Sequence, residues 1–89
     1  MIQHSIIRIH GKVQGVFFRK STKEKADELG VVGYVKNESD GTVSIEAEGE
    51  ESALQQFIEW CNQGPLHANV ENVETEAGEP KHFESFDVL

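Results

Sequence analysis

Along this chain the apolar residues recur with a spacing of about 2 residues in some segments and about 3.6 in others. This alternation between strand and helix spacing is the sequence feature that most restricts the fold. Residues 5–10 (SIIRIH) are rich in β-branched side chains and predict a strand. After a glycine-containing loop, apolar and small residues recur at helical spacing and predict a helix that ends at Gly30: Phe18, Thr22, Ala26 and Leu29. The chain is therefore predicted to begin with a strand followed by a helix.

The next segment predicts a β-hairpin. Two strand-like runs, Val31–Lys36 and Thr42–Glu48, flank the sequence NESDG of residues 37–41. An Asp-Gly pair between two such runs is a strong hairpin signal. The second run alternates, so its apolar residues share one face and its polar residues the other. The apolar set is Val43, Ile45 and Ala47, and the polar set is Thr42, Ser44, Glu46 and Glu48.

A second helix follows the hairpin. Ser52, with Gln55 three residues later, is typical of a capping box at a helix start, and Gly64-Pro65 is typical of a helix end. The apolar face of this helix carries four residues: Leu54, Phe57, Ile58 and Cys61.

Two further strands complete the pattern. One is predicted near Asn69–Glu76, although Val70 and Val73 break the alternation, and a short closing strand is predicted from Phe83, Phe86 and Val88. The order β-α-β-β-α-β is that of an α+β, ferredoxin-like split β-α-β sandwich. Such a fold has an antiparallel sheet with both helices on one face.

Length and composition predict one small domain, residues 1–89. A chain of this size buries roughly 60% of its unfolded surface. We expect no membrane association because every apolar run is short. No secretory signal is recognisable, so a cytoplasmic location is expected. The only cysteine, Cys61, excludes an intrachain disulfide and any site built from several cysteines.

The charge is divided unevenly along the chain. The formal net charge is −8, but residues 1–36 hold seven Lys and Arg against three Asp and Glu. Residues 37–89 hold one basic residue against thirteen acidic ones. The acidic balance argues against nucleic acid as a partner. The basic first third, however, can attract a small anion.

The stretch GKVQGVFFR, residues 11–19, joins the first predicted strand to the first helix. Gly11 and Gly15 can adopt positive φ, so the loop can turn successive main-chain N–H groups inward as an anion-binding nest. The helix N-terminus and the Arg19 guanidinium favour the same ligand. We expect Phe17 and Phe18 to anchor this loop to the core. Taken alone, the stretch is also compatible with a tight turn followed by an exposed arginine.

A second stretch, GYVKNESDGTVSIEAEG of residues 33–49, favours the anion site. Together the two stretches resemble the acylphosphatase family, whose pattern is Gly-x-Val-x-Gly-Val-x-Phe-Arg followed by Gly-x-Val-x-Asn-x-x-x-Gly-x-Val. Gly64-Pro65 also fits, so the resemblance covers most of the chain, whereas Asn69 stands where many relatives are basic. The fixed positions are all matched: Gly11, Val13, Gly15, Val16, Phe18, Arg19, Gly33, Val35, Asn37, Gly41 and Val43.

The resemblance implies hydrolysis of acyl phosphates, the mixed anhydrides of carboxylic and phosphoric acids, with Arg19 and Asn37 as catalytic residues. It implies that Arg19 and the loop N–H groups stabilise the phosphoryl charge, while Asn37 orients the attacking water. We expect a small-molecule substrate, a monomer, and no metal or cofactor. The implied substrate-binding residues are Gln14, Gly15, Val16, Phe17, Phe18 and Arg19.

Two other functions are considered. A non-catalytic module that binds a small anion or an acyl phosphate would need the loop but not Asn37. An RNA-binding ferredoxin-like domain would present aromatic residues on its central strands, and the third strand, TVSIEAE, has none. The four histidines show no ligand spacing and receive no role: His4, His10, His67 and His82. Cys61 is predicted to be a core thiol.

Overall fold

The computed structural model describes residues 1–89, which form a five-stranded sheet and two helices. The strand order is β4-β1-β3-β2-β5. Only β5 runs parallel to its neighbour, β2, so the predicted ferredoxin-like sandwich is confirmed but its sheet is mixed. The elements are β1 (Ile2–Lys12), α1 (Phe18–Leu29), β2 (Val32–Asn37), β3 (Val43–Glu50), α2 (Glu51–Gln63), β4 (Asn69–Gly78) and β5 (Phe86–Val88).

One face of the sheet packs against both helices and forms the core. The alternation predicted for β3 is confirmed there, since Val43, Ile45 and Ala47 are all buried. From α1 the core receives the predicted stripe, and the Thr22 hydroxyl is satisfied by donating to the Phe18 carbonyl oxygen at 2.7 Å. The apolar side chains supply most of the stability, at about 1.5–3 kcal/mol for each large one buried.

Gly11 lies inside β1, and this corrects the expectation that it bends the following loop. The strand continues to Lys12, with a bulge where β4 pairs beside it. Gly11 has φ 126°, and a Cβ there would lie 2.1 Å from the Asn69 carbonyl oxygen. The residue is therefore glycine because β4 passes too close for a side chain. The bulge also places Val70 and Val73 on the same face, which explains the broken alternation of β4.

The helix boundaries agree with the sequence except at the start of α2. Gly30 ends α1 as predicted, with φ 74° and its N–H directed at the Ala26 and Asp27 carbonyl oxygens. The capping box at Ser52 is wrong, because α2 begins at Glu51 and its N-terminus has no side-chain cap. Neither helix has the length and apolar character that crossing a membrane requires.

Residues 79–85, here called the crossover segment, connect the two edges of the sheet. Because β4 and β5 lie at opposite edges, this segment passes β1, β3 and β2 on the face without helices. The Phe83 ring lies 6.1 Å from the His4 ring and 6.0 Å from the Tyr34 ring. Its passage covers Glu48, which is 1% exposed although the alternation placed it on the polar face.

Candidate active site

A cavity of about 600 Å³ opens along α1, from Phe18 to Asp27. The strands β1, β2 and β5 point in the same direction, so their C-terminal ends meet at this edge of the sheet. Arg19 and Asn37 both line the cavity, together with three of the predicted loop residues: Gly15, Phe17 and Phe18. The remaining two, Gln14 and Val16, support the loop from outside the cavity.

The loop presents a row of free main-chain donors. Gly15 has φ 73° and Phe17 has φ 61°, so two left-handed residues bend the segment within three positions. The N–H groups of residues 14 to 19 donate no main-chain hydrogen bond, because the first bond of the α1 turn is from Ser21 to Phe17 at 3.0 Å. Consecutive free N–H groups in such a bend, followed by a helix N-terminus, form an anion-binding nest.

Two buried side chains attach this loop to the core, but Phe17, which was also expected to do so, does not. Val16 is 8% exposed and Phe18 is 2% exposed, so both attach the loop to the core. The expectation that Phe17 would do the same is wrong, because its side chain is 74% exposed. The left-handed conformation of Phe17 turns the ring out of the core between its two buried neighbours.

Arg19 lies in the first turn of α1, half-buried, with its guanidinium held from the other side of the cavity. Its Nη1 donates to the main-chain oxygen of Leu89 at 2.6 Å. Leu89 is itself fixed because its N–H donates to the Val35 carbonyl oxygen at 2.9 Å. A guanidinium has five N–H donors, so most of them are still available to an anion in the cavity.

Asn37 closes β2, where it pairs with Val43 at the start of β3. Its side chain is half-buried and belongs to the cavity wall. The neighbouring Gln14 side chain connects this hairpin to the loop, since its Nε2 donates to the carbonyl oxygens of Glu38 at 2.8 Å and Thr42 at 2.9 Å. Gln14 therefore sets the position of Asn37 relative to the nest. The sequence assigned Gln14 only a main-chain role, and nothing in its spacing indicates this bridge.

Charged side chains of α1 surround the rest of the cavity. Lys23 is neutralised locally, because its Nζ lies 3.2 Å from an Asp27 carboxylate oxygen and donates to the Phe86 carbonyl oxygen at 2.9 Å. Lys20 and Glu24 also line the wall. The end of the cavity beside the loop and Arg19 is thus cationic, and the end beside Lys23, Glu24 and Asp27 carries both signs.

The residues that received no role lie away from this cavity. His10 pairs with Glu74 at 2.6 Å on the face of the sheet without helices. Cys61 is fully buried, and that burial raises the pKa of its thiol. No group of three His, Cys, Asp or Glu side chains lies at metal-binding spacing.

Comparison with known proteins identifies the family of this chain. The acylphosphatase family profile matches residues 5–88. An acylphosphatase of Rubrobacter xylanophilus is 51% identical over 70 residues, which are 79% of this chain and 64% of that protein. One from Nocardioides is 44% identical over 92% of this chain and 83% of its own length. The structure of an acylphosphatase from Coxiella burnetii superposes with a TM-score of 0.95 at 40% identity, over 99% of this chain and 93% of the other. The chain therefore belongs to the acylphosphatase family.

Proposed function

We propose that this protein hydrolyses acyl phosphates by direct attack of water on phosphorus. One observation carries the proposal: a row of free N–H groups, a guanidinium and a carboxamide surround one cavity. The first two match the charge of a phosphoryl group, and the third matches the needs of a neutral nucleophile. Family membership supports the same reaction.

The reaction needs little covalent help from the protein. The oxygen of water forms a new bond to phosphorus while the bond from phosphorus to the acyl oxygen breaks. The products are a carboxylate and inorganic phosphate. A carboxylate leaves readily because its conjugate acid has a pKa near 4 to 5, so no general acid is required. What remains is stabilisation of charge and in-line positioning.

Arg19 and the nest are proposed to supply the charge stabilisation. The N–H groups of residues 14 to 19 would donate to the phosphoryl oxygens, and Arg19 would add a bidentate contact. The bond from Arg19 to Leu89 holds the guanidinium in place before substrate arrives. No reorganisation is then needed as charge spreads over the phosphoryl oxygens.

Asn37 is proposed to position the water. A carboxamide can accept one hydrogen bond from water and donate another to it, which fixes the direction of a lone pair. An amide is not basic enough to remove a proton at neutral pH. The proton of the attacking water therefore passes to a phosphoryl oxygen of the substrate, which balances the reaction without a protein base.

Kinetics of Asn37→Ala test this division of labour. We expect kcat for a simple acyl phosphate to fall on the order of 10²-fold or more, while the inhibition constant for inorganic phosphate stays near wild type. Arg19→Ala should lose both kcat and phosphate affinity. Arg19→Lys should be nearly as impaired, because an ammonium lacks the planar fork of a guanidinium. Asn72→Ala, on an exposed position of β4, is the matched control.

The outcomes separate catalysis from binding. If Asn37→Ala lowered phosphate affinity as much as rate, Asn37 would belong to the nest and the water-orienting role would be wrong. If the wild-type protein bound phosphate but released none from an acyl phosphate, the binding module would replace the enzyme. The monomeric state, the cytoplasmic location and independence from metals and cofactors stay predictions.

A further inference from the structure

An exposed aromatic ring stands at the entrance of the catalytic cavity in an unfavourable backbone conformation. Phe17 has φ 61° and ψ 23°, in the left-handed region that bulky residues rarely adopt. Its side chain is 74% exposed, so core packing does not repay the strain. A glycine at this position would relieve the backbone strain and remove the exposed apolar surface. Strained residues of this kind cluster where the strain has a function.

The position of Phe17 relative to the nest limits what its ring can meet. Phe17 belongs to the loop whose N–H groups face the phosphoryl group, and only one oxygen atom separates phosphorus from the acyl carbon. An acyl group must therefore lie within a few ångströms of this loop. Of the exposed large apolar side chains in the chain, only Phe17 and Val88 line the cavity.

We propose that the Phe17 side chain binds the acyl group, and that the preferred substrates carry an apolar acyl group larger than acetyl. This inference depends on the phosphoryl site proposed above. Val88, which is 43% exposed, provides a second apolar contact at the end of β5. The charged side chains on the α1 side largely cancel, because Lys23 is paired with Asp27 at 3.2 Å and Lys20 and Glu24 carry opposite charges, so the selectivity rests on the apolar contacts.

Binding of two non-hydrolysable analogues tests the inference without relying on turnover. Acetylphosphonate and benzoylphosphonate share the phosphoryl end and lack the P–O bond that would be cleaved. Calorimetry should give tighter binding of benzoylphosphonate to the wild-type protein. In Phe17→Gly, the affinity ratio between the two should shrink about three- to tenfold, as expected for the loss of one aromatic contact. Phe17→Tyr keeps the ring and should keep the ratio.

The affinity for inorganic phosphate separates recognition of the acyl group from support of the loop. Phosphate affinity in Phe17→Gly should change far less than benzoylphosphonate affinity. Phe17→Asn, which tolerates the left-handed conformation, should behave as Phe17→Gly does. Leu66→Ala removes an exposed apolar side chain outside the cavity and should leave the ratio at the wild-type value.

Two results would overturn the inference: an unchanged ratio in Phe17→Gly, or an equal loss of phosphate and benzoylphosphonate affinity. The second would show that the ring merely shapes the nest. A wild-type protein that binds benzoylphosphonate selectively but hydrolyses no acyl phosphate would support the acyl contact and refute the proposed reaction. The two proposals can therefore fail separately.

Discussion

Replacing Glu48 by glutamine should destabilise this protein far more than its position on the polar face of β3 suggests. The Glu48 carboxylate is buried under the crossover segment and accepts three hydrogen bonds. They come from His4 Nδ1 at 2.7 Å, from the main-chain N–H of Phe83 at 3.1 Å and from the main-chain N–H of Lys81. These bonds attach the crossover segment to the sheet.

The charge of Glu48 is needed because of what faces it. The second ring nitrogen of His4 lies 3.0 Å from a Glu46 carboxylate oxygen, so each ring nitrogen faces a carboxylate. An ionised carboxylate only accepts hydrogen bonds, so the donors that surround Glu48 are matched by its two oxygens. Glu46 is held in turn by Tyr34 at 2.5 Å and by Lys81 Nζ at 2.8 Å. Glutamine at position 48 would remove one charge from this buried network.

The size of the effect follows from the bonds lost. The amide oxygen of a glutamine can keep the bond from Phe83, but its NH₂ group would face two donors, His4 and the Lys81 N–H. Each hydrogen bond to a charged group contributes about 1.5–3 kcal/mol. For a domain of this size the expected loss in Tm is on the order of 20 °C.

Urea unfolding measures this loss directly. Trp60 is the only tryptophan and packs against Phe18 at 5.7 Å between ring centroids, so its fluorescence reports the core. Glu84→Gln changes an exposed residue of the same crossover segment and serves as control. If the free energy of unfolding of Glu48→Gln lay within about 0.5 kcal/mol of the control, which is the usual range of a surface change, the network would not hold the fold as argued.

The same network sets the response to acid. Burial alone would raise the pKa of Glu48, but the bonds from Lys81, His4 and Phe83 outweigh it and hold the pKa below its usual value. The pKa of Glu46 is also lowered, first by its bond with Lys81 and then by that with Tyr34. Because both pKa values are lower in the folded state, this stability is present above the unfolded pKa of about 4.3 and is lost as pH falls through the folded values. Glu48→Gln should therefore lose less stability on acidification than the wild type.

Two further predictions concern backbone space and metals. Gly33→Ala should prevent folding or unfold the protein at low temperature, because Gly33 has φ 143° and a Cβ there would lie 1.8 Å from the Glu46 carbonyl oxygen. A Cβ at Gly15 meets nothing within 4 Å, so Gly15→Ala should cost only about 1–2 kcal/mol. Equal melting temperatures of the two variants by circular dichroism would contradict this. Activity should persist in excess chelator, because Arg19 and the nest supply positive charge at the phosphoryl group; loss of activity that magnesium or zinc restored would show a metal requirement.

Local sequence patterns predict the elements of this fold but not what covers them. The pairing of Arg19 with Asn37 was implied by the resemblance to the acylphosphatase family, and the structure places both residues in the wall of one cavity. The burial of Glu48 was not predicted, because the alternation along β3 cannot show that residues 79–85 cover the polar face of that strand. Gly11 was assigned to the loop because nothing in the neighbouring sequence indicates that β4, more than fifty residues away along the chain, packs against it.

The crossover segment also connects the buried network to Arg19. It leads into β5, a strand of three residues whose pairing with β2 is short. The chain just beyond β5 gives Arg19 its acceptor, and β5 itself gives one to Lys23. Loosening the anchor at Glu48 should therefore release the guanidinium before the core unfolds. Glu48→Gln should lose phosphate affinity at temperatures where Trp60 fluorescence is still native. Full affinity up to the unfolding transition would show that pairing with β2 and burial of Phe86 hold β5 without the anchor at Glu48.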